Sequence, residues 1–432
     1  MLKAFKDLFS SMPLVNFHVW IGRMIVWSAA AVTGLVIVLF ARATERATAF
    51  FYDTQLALWW LPLCIMPAVG ILIVWFTRTW VSGAAGSGIP QTIAALQYEE
   101  HQSISHLVSI KIALTKMLFV SMGLAAGFSA GREGPSVQVG ASIMHAFRKY
   151  FPAHFYVDPK HLILAGGAAG ISAAFNTPLA GIVFAIEELS RKFEQKTNGV
   201  MITAIVLSGL VSMSLQGNYT YFGSLNVGAI HTEIMLPVLI CGLVCGVSGG
   251  MFSRTIIAFT EQLPGRITTF RTRHPLYWTG VCALIVASLG IVSHGAANGS
   301  GYLLTKAMLN GSINETWYYP LVKYLSTMFT YLSGILGGIF APALSIGAGI
   351  GYDLSSVLQY HDIAIAFSAL CMAGFLAGVT QAPITSFIIV MEMIDGHEMV
   401  ISLMAVSLMA TVTSRIFSRP LYSILAIQLV KK

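Results

Sequence analysis

Apolar residues fill long windows of the chain and polar residues gather between them. Runs near 24–41, 55–77, 107–127, 161–190, 199–215, 233–260, 276–293, 318–336, 363–379 and 397–414 predict apolar helices. A helix that crosses a bilayer needs about 20 apolar residues. The pieces that follow Pro90, Pro135, Pro178, Pro342 and Pro383 are mostly shorter and begin at Gly or Pro. Such broken helices are tolerated at membrane depth only where they are buried in protein or line a cavity. The pattern therefore predicts an all-α integral membrane protein whose interrupted helices surround a site for something that crosses.

The pattern also repeats. Pro135 and Pro342 stand 207 positions apart, as do Lys116 and Lys323, and Gly-Ala-Ser-Ile at 140–143 recurs at that offset as Gly-Ala-Gly-Ile at 347–350. A second pair of blocks, Ala173 to Glu187 and Gly378 to Glu392, aligns Pro178 with Pro383 at an offset of 205. The chain reads as a surface helix over 1–23, a first membrane repeat over 24–215, an extracytoplasmic linker over 216–232 and a second membrane repeat over 233–432. Matching Gly/Pro interruptions in two halves point to a substrate site at the repeat interface near the bilayer midplane.

Ser129-Ala-Gly-Arg-Glu-Gly-Pro-Ser136 puts two charges, Arg132 and Glu133, directly after an apolar run. Glu133-Gly134-Pro135 reads as a helix start, because proline suits the first helical turn. A helix start in an apolar region presents unpaired N–H groups and the positive end of a dipole, which together suit an anion. Glu133 is then a built-in anion that competes for that place.

Composition agrees with the membrane setting. Charged residues make up 10% of the 432 residues and hydrophobic ones 56%, against about 25% charged in soluble domains, and mean hydropathy is +0.75. The formal charge of +7 is distributed among loops, without the basic, aromatic-interleaved run of a nucleic-acid binder. Cys64, Cys241, Cys245, Cys282 and Cys371 are odd in number, lie in apolar segments and contain no C-x-x-C pair, which makes them packing residues. The N-terminal region is too long before its apolar run for a signal peptide, so an amphipathic helix over residues 1 to 20 is expected. By the positive-inside bias, Lys3 and Lys6, Arg191, Lys192 and Lys196, Arg266, Arg271 and Arg273, and Arg415, Arg419, Lys431 and Lys432 are cytoplasmic. The loops at 216–232 and 294–316 hold one lysine between them and face out, so the second half begins on the opposite side from the first. The repeats are inverted.

Four stretches together carry a resemblance. Gly86-Ser-Gly-Ile-Pro90, Gly131-Arg-Glu-Gly-Pro135, Gly338-Ile-Phe-Ala-Pro342 and Tyr422 within Pro420-Leu-Tyr-Ser423 resemble, in kind and in order, the four anion-site elements of the CLC chloride channel and transporter family. The likeness runs from about residue 25 to 425. It implies two inverted repeats of tilted and broken helices, about 17–18 helices per subunit, a homodimer with an anion path in each subunit, and an interface around 163–190 and 369–394. It also implies a multi-pass protein of the cell inner (plasma) membrane with both termini cytoplasmic. With only ten residues after Tyr422, a prokaryotic type without paired cytoplasmic CBS domains is expected.

The physical need is plain. A bare chloride in a low-dielectric interior costs tens of kcal/mol by a Born estimate, so partial positive charge must replace its water. Helix N-termini supply roughly half a unit charge each. By the resemblance, Gly86, Ser87, Gly88, Ile339, Phe340 and Tyr422 bind a central chloride, through the Ser87 and Tyr422 hydroxyls and the amides of Ile339 and Phe340. The backbone of Arg132, Gly134 and Ala341 lines an outer anion site. Each residue also has a plain structural reading: Ser87 as a helix cap, Tyr422 as an interfacial anchor, Arg132 as a donor to carbonyls or a neighbouring helix. Lys116 either pairs with a carboxylate, or snorkels, or lends positive potential to the site; Lys323 is structural.

A carboxylate at membrane depth is usually functional. In the family the residue matching Glu133 is the external gate, which blocks the path when ionised and swings away when protonated. The alternative is a carboxylate locked onto Arg132. Glu188 aligns with the internal proton-transfer glutamate of the exchangers; its plain reading is a surface acid paired with Arg191 or Lys192. Glu187, matched by Glu392, is structural. The resemblance thus implies chloride/proton antiport, with a passive chloride channel as the alternative, and Ser87 with Tyr422 favours chloride over nitrate or fluoride. Partners are chloride, protons, the lipid bilayer and a second subunit, with no nucleic acid, cofactor or metal. No H-E-x-x-H or nucleophile–base set suggests an enzyme.

Overall fold

The computed structural model describes residues 17–97, 104–152, 158–190, 198–217, 220–223, 235–261, 265–312 and 317–430. The basic residues Lys3, Lys6, Arg191, Lys192, Lys196, Lys431 and Lys432 and most of the surface helix expected over 1–20 lie outside them. In the first half the helices are α1 (Phe17–Ala57), α2 (Pro62–Trp80), α3 (Ile89–Gln97), α4 (Ile110–Ala126), α5 (Glu133–Ala146), α6 (Pro159–Phe175), α7 (Pro178–Phe184) and α8 (Asn198–Gln216). The second half has α9 (Met235–Thr260), α10 (Arg266–Arg273), α11 (Pro275–Val292), α12 (Tyr302–Leu309), α13 (Tyr319–Leu332), α14 (Phe340–Val357), α15 (Ala364–Thr380), α16 (Pro383–Ile394), α17 (Val400–Phe417) and α18 (Leu421–Val430). Among the described residues there is no strand, and eight helical stretches are long and apolar enough to cross a membrane.

The halves superpose in kind. α5 and α14 begin at Glu133 and Phe340, and α7 and α16 begin at Pro178 and Pro383, at the offsets of 207 and 205 read from the sequence. α6 and α15 both end on a non-glycine residue in the left-handed region, Asn176 at φ 59° and Gln381 at φ 60°. Each cap turns the chain so that proline can start the next short helix. Where the halves meet, Gly131 and Gly338 form an isolated antiparallel bridge.

Glycines let the central helices touch. A Cβ at Gly140 would meet Gly170 Cα at 3.2 Å, and one at its repeat mate Gly347 would meet Met372 Cα at 2.7 Å. α5 therefore packs directly on α6, and α14 on α15, by the small-residue packing that suits helices in lipid.

Several expectations are corrected. The run at 161–190 is two helices and a π-helical turn, Ala185–Ser190, because Asn176 breaks the ladder. The first span continues unbroken through position 23 and past Ala41 to Ala57, 41 residues in all, so no boundary falls at 23. Arg42, Glu45 and Arg46 ended the apolar run in the sequence, but Ala41 and Thr44 on the same stretch are buried, so one face of the helix stays packed. α14, at 18 residues, stays short of a full span, as expected of the pieces that follow the prolines, and is interior at its start. Within the stretches expected at a subunit interface, residues 163–175 and 369–380 are buried in the protomer's own interior. Of the two stretches named, the outward-facing apolar residues are on α7 and α16, where Leu179 is 45% exposed and Ile384 47%.

Candidate functional site

Three helix starts converge at the seam. Gly86 and Gly88 have φ of +76° and +110°, a conformation that glycine adopts freely, and they bring Ser87 to the head of α3. The Gly88 N–H donates to Gln91 Oε1 at 2.9 Å, and the Gln91 amide donates back to the Ala85 carbonyl. A Cβ at Gly88 would lie 2.5 Å from the Gly134 carbonyl oxygen. The α3 start is thus pressed onto the α5 start. Gly131 and Gly338 exchange two backbone hydrogen bonds of 2.7 Å, and the Gly337 N–H donates to the Gly86 carbonyl at 3.4 Å.

α5 and α14 open toward the same place. Pro135 and Pro342 have no N–H, and the first intrahelical bonds in these turns are made by Ser136 to the Arg132 carbonyl and by Ala343 to the Ile339 carbonyl. The amides of Glu133, Gly134, Phe340 and Ala341 precede those bonds and have no intrahelical acceptor. Of these, Phe340 is predicted to bind the central chloride and Gly134 and Ala341 to line the outer anion site, while Glu133 is the predicted gate.

The Glu133 side chain is 1% exposed. The backbone N–H groups of Glu133, Ala341 and Arg132 face its carboxylate, yet neither oxygen has a hydrogen-bond partner of sound geometry. A Cβ at Gly131 would collide with Glu133 Oε2, so the carboxylate lies over that glycine. It is a carboxyl group set among backbone dipoles from both repeats. Arg132 does not hold it: the guanidinium Nη1 donates instead to the Ala41 carbonyl at 2.8 Å, Thr44 Oγ1 at 3.2 Å and Glu45 Oε1 at 2.8 Å. The expected donor role toward a neighbouring helix is met by α1.

Ser87 and Tyr422 are fully buried. Their hydroxyls lie within reach of one another, but neither makes a well-formed hydrogen bond. Phe340 stacks on Tyr422 with ring centroids 6.1 Å apart and a 15° interplanar angle. Buried donors without acceptors are costly, and two of them together suit a small anion. Tyr422 is an interior residue, which removes the interfacial-anchor reading.

Glu188, in the π-helical turn, is 1% exposed, so it is no surface carboxylate; Arg191 and Lys192 lie outside the described residues. The Tyr422 phenol feels the charge of both Glu188 and Glu133. Lys116 is fully buried and donates to the Ala84 and Gly86 carbonyls, each at 2.7 Å. Among the described residues it pairs with no carboxylate, and its burial rules out snorkelling. Lys323 donates to the carbonyls of Ala297, Asn298 and Gly299 at 3.2, 3.0 and 2.8 Å. Each repeat thus ties the loop ahead of a short helix, α3 or α12, with one buried lysine.

Above Glu133 opens a cavity of about 350 Å³, lined among others by Glu45, Tyr52, Arg132, Glu133, Tyr221 and Tyr302. None of Glu45, Tyr52, Tyr221 and Tyr302 was singled out in the sequence. Tyr221 and Phe222 belong to the linker, yet both are buried, and the Phe222 N–H donates to the Met393 carbonyl at 2.9 Å. Two adjacent aromatics in a short linker were the available signal.

Known proteins share this architecture. The chain is 29% identical to the H(+)/Cl(-) exchange transporter ClcA of Citrobacter koseri, over 93% of this chain and 88% of that protein. It is also 29% identical to the ClcA of Salmonella typhimurium strain LT2, over 93% and 87%. Among solved structures, a slow cyanobacterial Cl-/H+ antiporter matches with a TM-score of 0.80 at 22% identity, covering 95% of this chain and 98% of the other. A CLC-type fluoride/proton antiporter matches at 0.79 and 24% identity, covering 93% and 96%. At those identities the structures establish the fold alone. The family profile described as voltage gated chloride channel matches residues 69–415, and with the Gly131–Gly338 seam joining two inverted repeats, the chain belongs to that multi-pass membrane family, the CLC proteins.

Proposed function

We propose that this chain exchanges chloride for protons across a membrane, gated by Glu133. The observation that carries the reading is the buried Glu133 carboxylate, seated among backbone amides of both repeats without a fixed partner. Ionised, it occupies the outer anion position formed by the backbone of Arg132, Gly134 and Ala341. Protonated, it has no charge to hold it there, and chloride takes its place. The central chloride accepts from the Ser87 and Tyr422 hydroxyls and the Ile339 and Phe340 amides, with Gly86 and Gly88 permitting the close approach. Lys116 fixes the Ser87 loop and adds positive potential beneath it.

Glu188 is the internal proton relay. Its burial and its electrostatic reach to Tyr422 support that role. The names of the curated relatives support chloride and protons as the transported pair. The protein works as a homodimer in the inner membrane with both termini cytoplasmic, and the outward apolar residues Leu179 and Ile384 suit α7 and α16 to the subunit contact.

A passive chloride channel would use the same anion contacts without the proton. Purified protein in chloride-loaded liposomes, diluted into low chloride at zero voltage, separates the two. Uphill proton uptake that disappears in Glu188→Gln while chloride flux persists is the expected result. Rapid chloride efflux with no proton movement would mean a channel.

A further inference from the structure

We propose that Glu45 is a positioning residue that keeps Arg132 from capturing the Glu133 carboxylate; the inference rests on the gate reading of Glu133. An arginine next to a buried carboxylate normally pairs with it, since charge-assisted hydrogen bonds are strong. Here Arg132 and Glu133 are neighbours in sequence and both are buried, yet they share no ion pair among the described residues. The guanidinium is drawn to α1. Ala41, Thr44 and Glu45 fall at i, i+3 and i+4 on one helical face and accept from the same Nη1.

Two of those three acceptors are neutral. Glu45 alone supplies a compensating charge, in an ion pair of 2.8 Å whose arginine side chain is 9% exposed and whose carboxylate is 56% exposed. Both groups open into the cavity above Glu133, where the other titratable groups among the described residues are Tyr52, Tyr221 and Tyr302; on the inner side Tyr422 feels the charge of Glu133 and of Glu188. Among the described residues, Glu45 is therefore the only other carboxylate that lines this cavity. Without it, an uncompensated buried cation stands beside the gate and favours the ionised, path-blocking form of Glu133. The pair thus leaves the gate free to move.

The test uses the full chain in liposomes, with Glu45→Gln and Glu45→Asp made in the native protein and Glu45→Gln also in Glu133→Gln. Chloride efflux and proton coupling are followed across pH. An opposite charge within about 4–6 Å moves a carboxyl's titration by about one to three pH units. The expected result is that Glu45→Gln lowers the pH of half-maximal chloride flux by at least about one unit, and that Glu45→Asp restores the native profile. In Glu133→Gln, where the gate carries no titrating charge, adding Glu45→Gln leaves chloride flux unchanged. An unaltered pH profile in Glu45→Gln overturns the proposal. So does slow flux that persists in the double variant, which would make Glu45 an anchor for α1 only. Failure of the gate reading looks different: native protein that moves no chloride, or Glu133→Gln with the native pH profile, overturns both.

Discussion

Glu187 and Glu392 cap each other's repeat. The Glu187 carboxylate accepts from the amides of Ile384 and Thr385 at 3.1 and 2.6 Å, and Glu392 accepts from those of Leu179 and Ala180 at 3.2 and 2.6 Å. Every member of one set is 205 positions from its mate in the other. α7 and α16 are short helices whose first N–H groups need acceptors, and each finds one on the opposite half. The two halves are fastened by a reciprocal clamp, distinct from the seam at Gly131 and Gly338 beside which the anion site is proposed.

Removing either clamp should loosen the pairing of the halves without touching the anion site. Glu392→Ala is expected to cost about 1–2 kcal/mol, as loss of a helix cap does, and Glu187→Ala about the same. Thermal unfolding in detergent should show both losses, with chloride flux per folded protein near native. A large fall in flux with unchanged unfolding would contradict the structural assignment.

On the proposed gate reading, Glu133→Gln removes the charge that competes for the outer anion site and keeps the side chain's size. Chloride flux should then become independent of pH, and proton movement should stop. Parallel recordings of chloride efflux and external pH in liposomes decide this. A variant that still pumps protons against a chloride gradient would place the gate elsewhere.

How far the sequence reached can be judged residue by residue. The offset of 207 already paired Gly131 with Gly338, and these two do bridge; the short helices after Pro178 and Pro383 were equally visible, because proline and glycine mark breaks by local geometry. Glu45 was not visible. Its stretch carries Arg42 and Arg46, so a hydropathy window ends the helix there, whereas the helix runs on to Ala57 and meets Arg132 through Ala41, Thr44 and Glu45. Tyr221 escaped for a related reason: nothing local says that a linker aromatic packs on Phe175, with centroids 5.7 Å apart. Long-range contacts leave no period in the chain.

Ser87 and Tyr422 are two buried donors aimed at one place, so each should contribute to chloride affinity. Tyr422→Phe keeps the ring stacked on Phe340 and deletes only the hydroxyl. A hydrogen bond to a charged group is worth about 1.5–3 kcal/mol, so chloride affinity should fall by roughly ten-fold or more. Ser87→Ala should act in the same direction. Titration calorimetry with chloride on purified protein reads both, and unchanged affinity in both variants would move the central site away from these hydroxyls.

The two buried lysines separate the site from the scaffold. Lys116 bonds the Ala84 and Gly86 carbonyls and so sets the loop that carries Ser87, while Lys323 bonds three carbonyls ahead of α12. In Lys116→Met the methylene stem remains but two carbonyls lose their donor and the positive charge beneath Ser87 disappears. Both effects weaken anion binding. Chloride affinity should drop about ten-fold or more, since even one buried polar group left unsatisfied costs about 1–3 kcal/mol. In Lys323→Met the same chemistry falls on a loop that holds no part of the central site, so the loss should register in thermal unfolding and leave chloride affinity near native. Calorimetry and unfolding on both variants give a two-by-two comparison. If Lys323→Met weakened chloride binding as much as Lys116→Met, the lysines would act through general stability, and the electrostatic role of Lys116 would have to be abandoned.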